Sequence, residues 1–203
     1  VGSEMCIRDS QSLKVEGLTR FHLIGNSLGG WVSLEIGAKF PNSVLSITGL
    51  APAGLWLKPR THRNFPLSFN RFLAKLLDDH VEKLLKYDFF KRIGFQAVSP
   101  RWQSLSFETC LDAARAMNGA TGYFALWDAT FGNRFDKPIS PEIPITIIFG
   151  DSDQTLPAPD SQEKSLVPAH SDWVVLSDTG HAPMWDNVDE VILSLIHISE
   201  PTR

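Results

Sequence analysis

The sequence predicts an α/β protein: a mostly parallel sheet with an all-helical block inserted between two of its strands. Three observations carry this. A strand, a helix and a second strand follow one another within residues 20–51. Residues 52–141 then show helical periodicity and no convincing strand. From residue 142 strands and loops resume and lead into a last helix. Strand, helix, strand in immediate succession is the signature of a crossover between parallel neighbours.

The elements follow in order. "RFHLIG" (20–25) is short, apolar and β-rich and reads as a buried strand, with His22 as a hydrogen-bonded core residue. "LGGWVSLEIGAKF" (28–40) carries a rough helical stripe of Trp31, Leu34, Ile36 and Phe40, and Pro41 stops it. "SVLSITGLA" (43–51) is a second strand. In "FNRFLAKLLDDHVEKLLKYDFF" apolar residues at 69, 72, 73, 76, 77, 81, 84 and 85 alternate with charges at helical spacing. "SFETCLDAARAMNGATGYFALWDATF" is a further helical region interrupted at Asn118-Gly119. "EIPITIIFG" is a strong buried strand and "DSDQTLPAP" the loop at its carboxyl end. "DSQEKSL" reads as a short helix, "SDWVVLSD" as a strand, "TGHAPMWD" as a loop, and "NVDEVIL" as the start of a helix.

Composition narrows the function classes. With 203 residues, 43% of them hydrophobic, and a formal charge of -4, the chain has enough apolar material for one sizeable core. Its mild acidity and lack of a Lys/Arg run argue against a nucleic-acid partner. No apolar stretch approaches the roughly 20 residues that span a bilayer. Cys6 and Cys110 have neither metal-ligand spacing nor a disulfide framework, which leaves a reducing, cytoplasmic compartment as the default.

Both ends look foreign. "VGSEMCIRDS" and "LSLIHISEPTR" can be encoded by sequences antisense to one another, and each resembles translated read-through of a sequencing adapter. Residues 1–10 and 193–203 are therefore expected to be non-native, and residues 11–192 to be an interior fragment of a longer protein, inactive by itself. Cys6 and His197 then leave the functional count.

Chemistry enters at Gly25-Asn26-Ser27-Leu28-Gly29, a G-x-S-x-G match. The match alone is weak. Its setting between a predicted strand and a predicted helix is where a nucleophile elbow must sit. Gly25 and Gly29 would give the backbone room, and the helix start beyond Ser27 offers N–H groups and a positive dipole end. No Lys-Ser/Thr follows the glycines, so a phosphate loop is a poor rival. A serine hydroxyl needs a base, and the base needs an orienting acid. His181 and Asp153 lie in loops after later strands, at the same carboxyl edge of the sheet as Ser27.

With "IGNSLGGW", "IFGDSDQTLP" and "TGHAPMWDN" in that order, the chain resembles the later half of an α/β-hydrolase-fold protein with a helical cap. The resemblance implies a core at 11–51 and 142–192 and a cap at 52–141. It implies a serine hydrolase with Ser27 as nucleophile, His181 as base and Asp153 as acid, Asp151 being the rival for the last role. It implies an oxyanion hole with the Leu28 N–H as one donor, the second coming from an upstream segment. The substrate would be a small molecule: an ester, a thioester or an activated carbon–carbon bond of an apolar compound. No cofactor is called for. The other functional class is a non-hydrolytic ligand-binding or receptor protein of the same fold.

Other residues weigh less. Trp102, Phe124, Trp127 and Phe131 could line an apolar pocket or simply pack the cap. Arg115 and Asn118 could meet a polar substrate group. His62, His80 and His170 do not cluster at metal-ligand spacing, so no metal is expected. Cys110 reads as an inert core thiol.

Overall fold

The computed structural model describes residues 19–59, 75, 78–130 and 132–199. Among the described residues four strands form one parallel sheet: β1 (Phe21–Asn26), β2 (Val44–Leu50), β3 (Ile145–Gly150) and β4 (Asp172–Leu176), in that spatial order. Helix α1 (Leu28–Lys39) joins β1 to β2, and a 3-10 turn at Pro41–Ser43 closes the crossover. The helical block contributes α2 (Val81–Leu84), α3 (Asp88–Phe95), α4 (Phe107–Gly119) and α5 (Tyr123–Thr130). After β4 come α6 (Pro183–Asp186) and α7 (Val188–Ser199).

The register aligns the carboxyl ends of the strands. Asn26 pairs with Leu50, Leu50 with Ile148, and Gly150 with Leu176. Every loop leaving those ends therefore emerges on one edge, where parallel α/β sheets carry their sites.

The main core lies on the α1 face of the sheet. Trp31, Leu34 and Ile36 of α1 pack with Ile47, Ile145, Ile147 and Phe149 from the strands. Trp31 and Trp56 meet edge to face at 5.4 Å, a geometry that favours the ring quadrupoles. Ala53, Leu55, Trp56, Phe135 and Ile139 belong to this same core, so both flanks of the 52–141 stretch are anchored on the sheet. On the opposite face Leu50, Ile148, Leu176 and Val191 form a smaller cluster beneath α7.

The helical block has its own core of Leu85, Phe95, Leu105, Cys110 and Leu111, against which Trp102, Phe107 and Trp185 pack. Ser106 caps α4 by accepting the Thr109 N–H at 3.0 Å. Cys110 is 1% exposed, and burial pushes its thiol above the ordinary range, the nearby Lys91 offsetting this in part. The thiolate is the reactive form. Native protein should therefore resist iodoacetamide at Cys110 at neutral pH and react there once unfolded in urea, as peptide mass mapping would read.

The structure corrects several sequence expectations. Among the described residues β1 is partly exposed rather than buried. It lies at the end of the strand order with β2 as its partner, and Ile24 is 55% exposed. His22 is exposed as well, although its Nδ1 pairs with Ser46 Oγ at 2.7 Å. "DSQEKSL" forms only a 3-10 turn at Lys164–Leu166, where the Glu163 side chain accepts the Ser165 N–H. "TGHAPMWD" is not all loop, because Pro183 opens the short helix α6 from the position proline favours. The apolar positions at 69, 72, 73, 76 and 77 lie outside the described residues.

Candidate active site

Ser27 sits between β1 and α1 with φ 54° and ψ -115°, a region that strains any residue but glycine. Main-chain bonds hold it there. Its N–H donates to Leu50 O at 2.8 Å, and its carbonyl accepts from Gly30, Trp31 and Ala53 N–H groups. The turn thus ties β1, the first turn of α1 and the end of β2 together. Leu28 begins α1, where first-turn N–H groups have no intrahelical acceptor and the dipole favours negative charge.

The glycines divide differently from the motif. A Cβ on Gly25 would lie 2.3 Å from the Gly29 carbonyl carbon and oxygen, so strand and helix backbones are in contact there. A Cβ on Gly29 meets nothing within 4 Å. The second close approach is at Gly30, where a Cβ would lie 2.7 Å from Pro52 Cβ and 3.0 Å from Gly25 O. The expectation that Gly29 provides backbone room is therefore corrected to Gly30, one position around the helix and facing the strand ends.

Asp153 lies three residues past Gly150, in the loop after β3, and is 4% exposed. Its Oδ1 accepts the N–H groups of Thr155 and Leu156, each at 2.8 Å. Its Oδ2 accepts from His181 Nδ1 at 2.9 Å. Those three bonds offset the cost of burying a carboxylate. Facing a carboxylate, Nδ1 is the donor, which leaves Nε2 as the free acceptor of the ring. Asp151, the rival acid, is exposed and takes the Ser152 hydroxyl at 2.9 Å.

His181 follows β4 and is 7% exposed. The acid loop and the histidine loop touch directly: a Cβ on Gly150 would lie 2.0 Å from Thr179 O, and Ser152 N–H donates to that oxygen at 2.9 Å. On the other side the Asn26 side chain donates to Leu50 O at 3.0 Å and to His181 O at 2.9 Å. The residue before Ser27 therefore ties the elbow to the histidine loop. Sequence reasoning passed over Asn26, because nothing local marks a bond that spans 155 positions. Asn26→Ala should cost about 1–2 kcal/mol of stability, checked by urea unfolding.

The remaining candidates fall elsewhere. Trp102 is partly buried and packs on the core of the helical block, the packing role that the sequence left open beside pocket lining. Phe124 is half-buried and meets Tyr123 edge to face at 5.6 Å. The Trp127 side chain, Phe131 and His62 lie outside the described residues. Arg115 makes an exposed ion pair with Glu82 at 3.3 Å, which places it on the surface. His170 Nε2 faces Ile143 O at 3.2 Å. Among the described residues no group of three or more His, Cys, Asp or Glu could hold a metal ion, and no helix is long and apolar enough to cross a membrane.

A parallel sheet with its elbow, acid and histidine loops on one carboxyl edge defines the class. The alpha/beta hydrolase fold family matches residues 16–188, and the chain belongs to it. Among curated proteins it is 26% identical over 185 residues to Lipase 1 of Psychrobacter immobilis, covering 88% of this chain and 55% of the lipase. It is 26% identical over 191 residues to Lipase 3 of Moraxella sp. (strain TA144), covering 88% and 56%. The chain thus spans little more than half the length of either lipase. Among solved structures, the meta-cleavage product hydrolase of Pseudomonas fluorescens IP01 shares the fold at a TM-score of 0.64 and 13% identity, covering 98% of this chain and 71% of that one.

Proposed function

We propose that the whole protein is a serine hydrolase acting on esters of small apolar compounds, with Ser27, His181 and Asp153 as its triad. Ser27 Oγ attacks the ester carbonyl carbon while His181 Nε2 takes the hydroxyl proton. Asp153 holds the imidazole through Nδ1 and stabilises the imidazolium. The Leu28 N–H, at the positive end of α1, donates to the oxyanion. Collapse breaks the ester bond, and the alcohol leaves with the proton from His181. Water, deprotonated by the same nitrogen, then attacks the acyl-enzyme, and release of the acid regenerates Ser27. Thioesters and activated carbon–carbon bonds would be open to the same attack.

The observation that carries this reading is the buried His181–Asp153 bond of 2.9 Å on the sheet edge that also bears the strained Ser27. Two relatives named as lipases favour esters over the other substrates. The test is labelling of the whole protein with a fluorophosphonate probe, in which the Ser27 oxygen bonds phosphorus and fluoride leaves. Labelling at Ser27 together with hydrolysis of p-nitrophenyl butyrate is expected. Folded protein that neither labels nor hydrolyses would overturn the reading.

A further inference from the structure

We propose that the buried carboxylate of Asp186 is a positioning residue for His181, and that it makes the 98–101 segment of the helical block part of the histidine's mounting. The proposal rests on the hydrolase reading above. Asp186 ends α6, five residues past His181, and is 6% exposed. Its Oδ2 accepts the N–H of Gly180, the residue before His181, at 2.8 Å. Its Oδ1 accepts the hydroxyl of Ser99, which is fully buried. Its carbonyl accepts Arg101 Nη1 at 2.8 Å, while Arg101 Nε bonds Asp178 Oδ2 at 2.8 Å.

These contacts converge on one short stretch from two sides. His181 N–H donates to Val98 O at 2.7 Å. A Cβ on Gly180 would lie 2.2 Å from that same oxygen, so the two backbones touch. Thr155, in the acid loop, donates its hydroxyl to Ala97 O at 3.2 Å. Segment 97–101 therefore braces both loops that bring acid and histidine together, and Asp186 is the side chain that fastens the histidine loop to it. Burying a carboxylate is costly unless its oxygens are bonded. Here both oxygens serve the backbone of the histidine loop and its brace. An apolar residue would fill the same space but leave Gly180 N–H and Ser99 without their acceptor.

The consequence is kinetic. An imidazole displaced by about 1 Å can lose up to about a hundredfold in rate with little change in binding. In the whole protein, Asp186→Ala should lower kcat for p-nitrophenyl butyrate by about ten- to hundredfold while KM changes less than about threefold. It should also shift or broaden the low-field proton resonance of His181 Nδ1–H, which reports the bond to Asp153. Asp186→Asn keeps an acceptor for Gly180 N–H and should recover most of the loss. Ser99→Ala removes one bond and should cause a smaller fall in kcat with KM steady. If Asp186→Ala does not fold, Ser99→Ala decides: a severalfold fall in kcat with a shifted resonance supports the proposal. Wild-type kcat and resonance in folded Asp186→Ala, or failing that in Ser99→Ala, overturn it, whatever happens to Tm. Failure of the hydrolase reading would look different, because Ser27→Ala would then keep the wild-type rate.

Discussion

Ser27→Ala is expected to lower ester hydrolysis by the whole protein roughly a million-fold and to abolish fluorophosphonate labelling, with the fold unchanged. The size follows from how the proposed triad would work: without the oxygen nucleophile, His181 and Asp153 would have nothing to activate. The intact fold follows from the turn's bonding. Ser27 is held by its own N–H and carbonyl, bonded to Leu50, Gly30, Trp31 and Ala53, and alanine keeps all of them. The strain at φ 54° also remains in alanine, whereas Ser27→Gly should relieve it. That variant should be as inactive as the alanine variant but more stable by about 1 kcal/mol. Urea unfolding and the p-nitrophenyl butyrate assay, run on both variants, separate the two effects. Retention of the wild-type rate in either variant would remove Ser27 from the chemistry.

Gly25→Ala should be the most damaging substitution of a single methyl group at the elbow. The added Cβ would meet main-chain atoms of Gly29 at 2.3 Å and Gly30 N at 2.6 Å, and backbone cannot rotate aside as a side chain can. Strand β1 and helix α1 would have to separate, opening the elbow and the core between Trp31 and the sheet. Overpacking of this kind costs about 3 kcal/mol or more, a large share of a typical stability of roughly 5–15 kcal/mol. Gly29→Ala is the control. Its Cβ enters open space in the first turn of a helix, where alanine outranks glycine by about 1 kcal/mol. The urea midpoint should therefore fall sharply for the first variant and stay level or rise for the second. Equal midpoints would refute the backbone-contact account.

Much of the candidate site was legible because its signals are local. An apolar run before Ser27 and a helical stretch after it locate the turn at β1–α1. The glycine that ends β3 and the loop after it single out Asp153 and Asp151, and the strand before "TGHAPMW" sets His181 on the same edge. Partners distant in sequence were not legible. The resemblance favoured Asp153 over Asp151, but the 2.9 Å contact of Asp153 with His181, 28 positions away, is made only in the fold. Trp102 reads equally as pocket or core until its neighbours are known. Asp186 reads as an ordinary loop carboxylate until Ser99, 87 positions away, is found against it.

By itself the sequence determined the parallel α/β plan, the helical interruption between β2 and β3, and the order of the serine, acid and histidine loops. Each follows from hydrophobic periodicity or turn chemistry, which act over a few residues. Only the tertiary structure decided that Gly30 rather than Gly29 makes the second close approach, and that Asn26 and Asp186 hold the histidine loop. These depend on which backbones meet when the sheet assembles. Steric contact and hydrogen bonding reach only a few ångströms, so chain folding alone selects their partners.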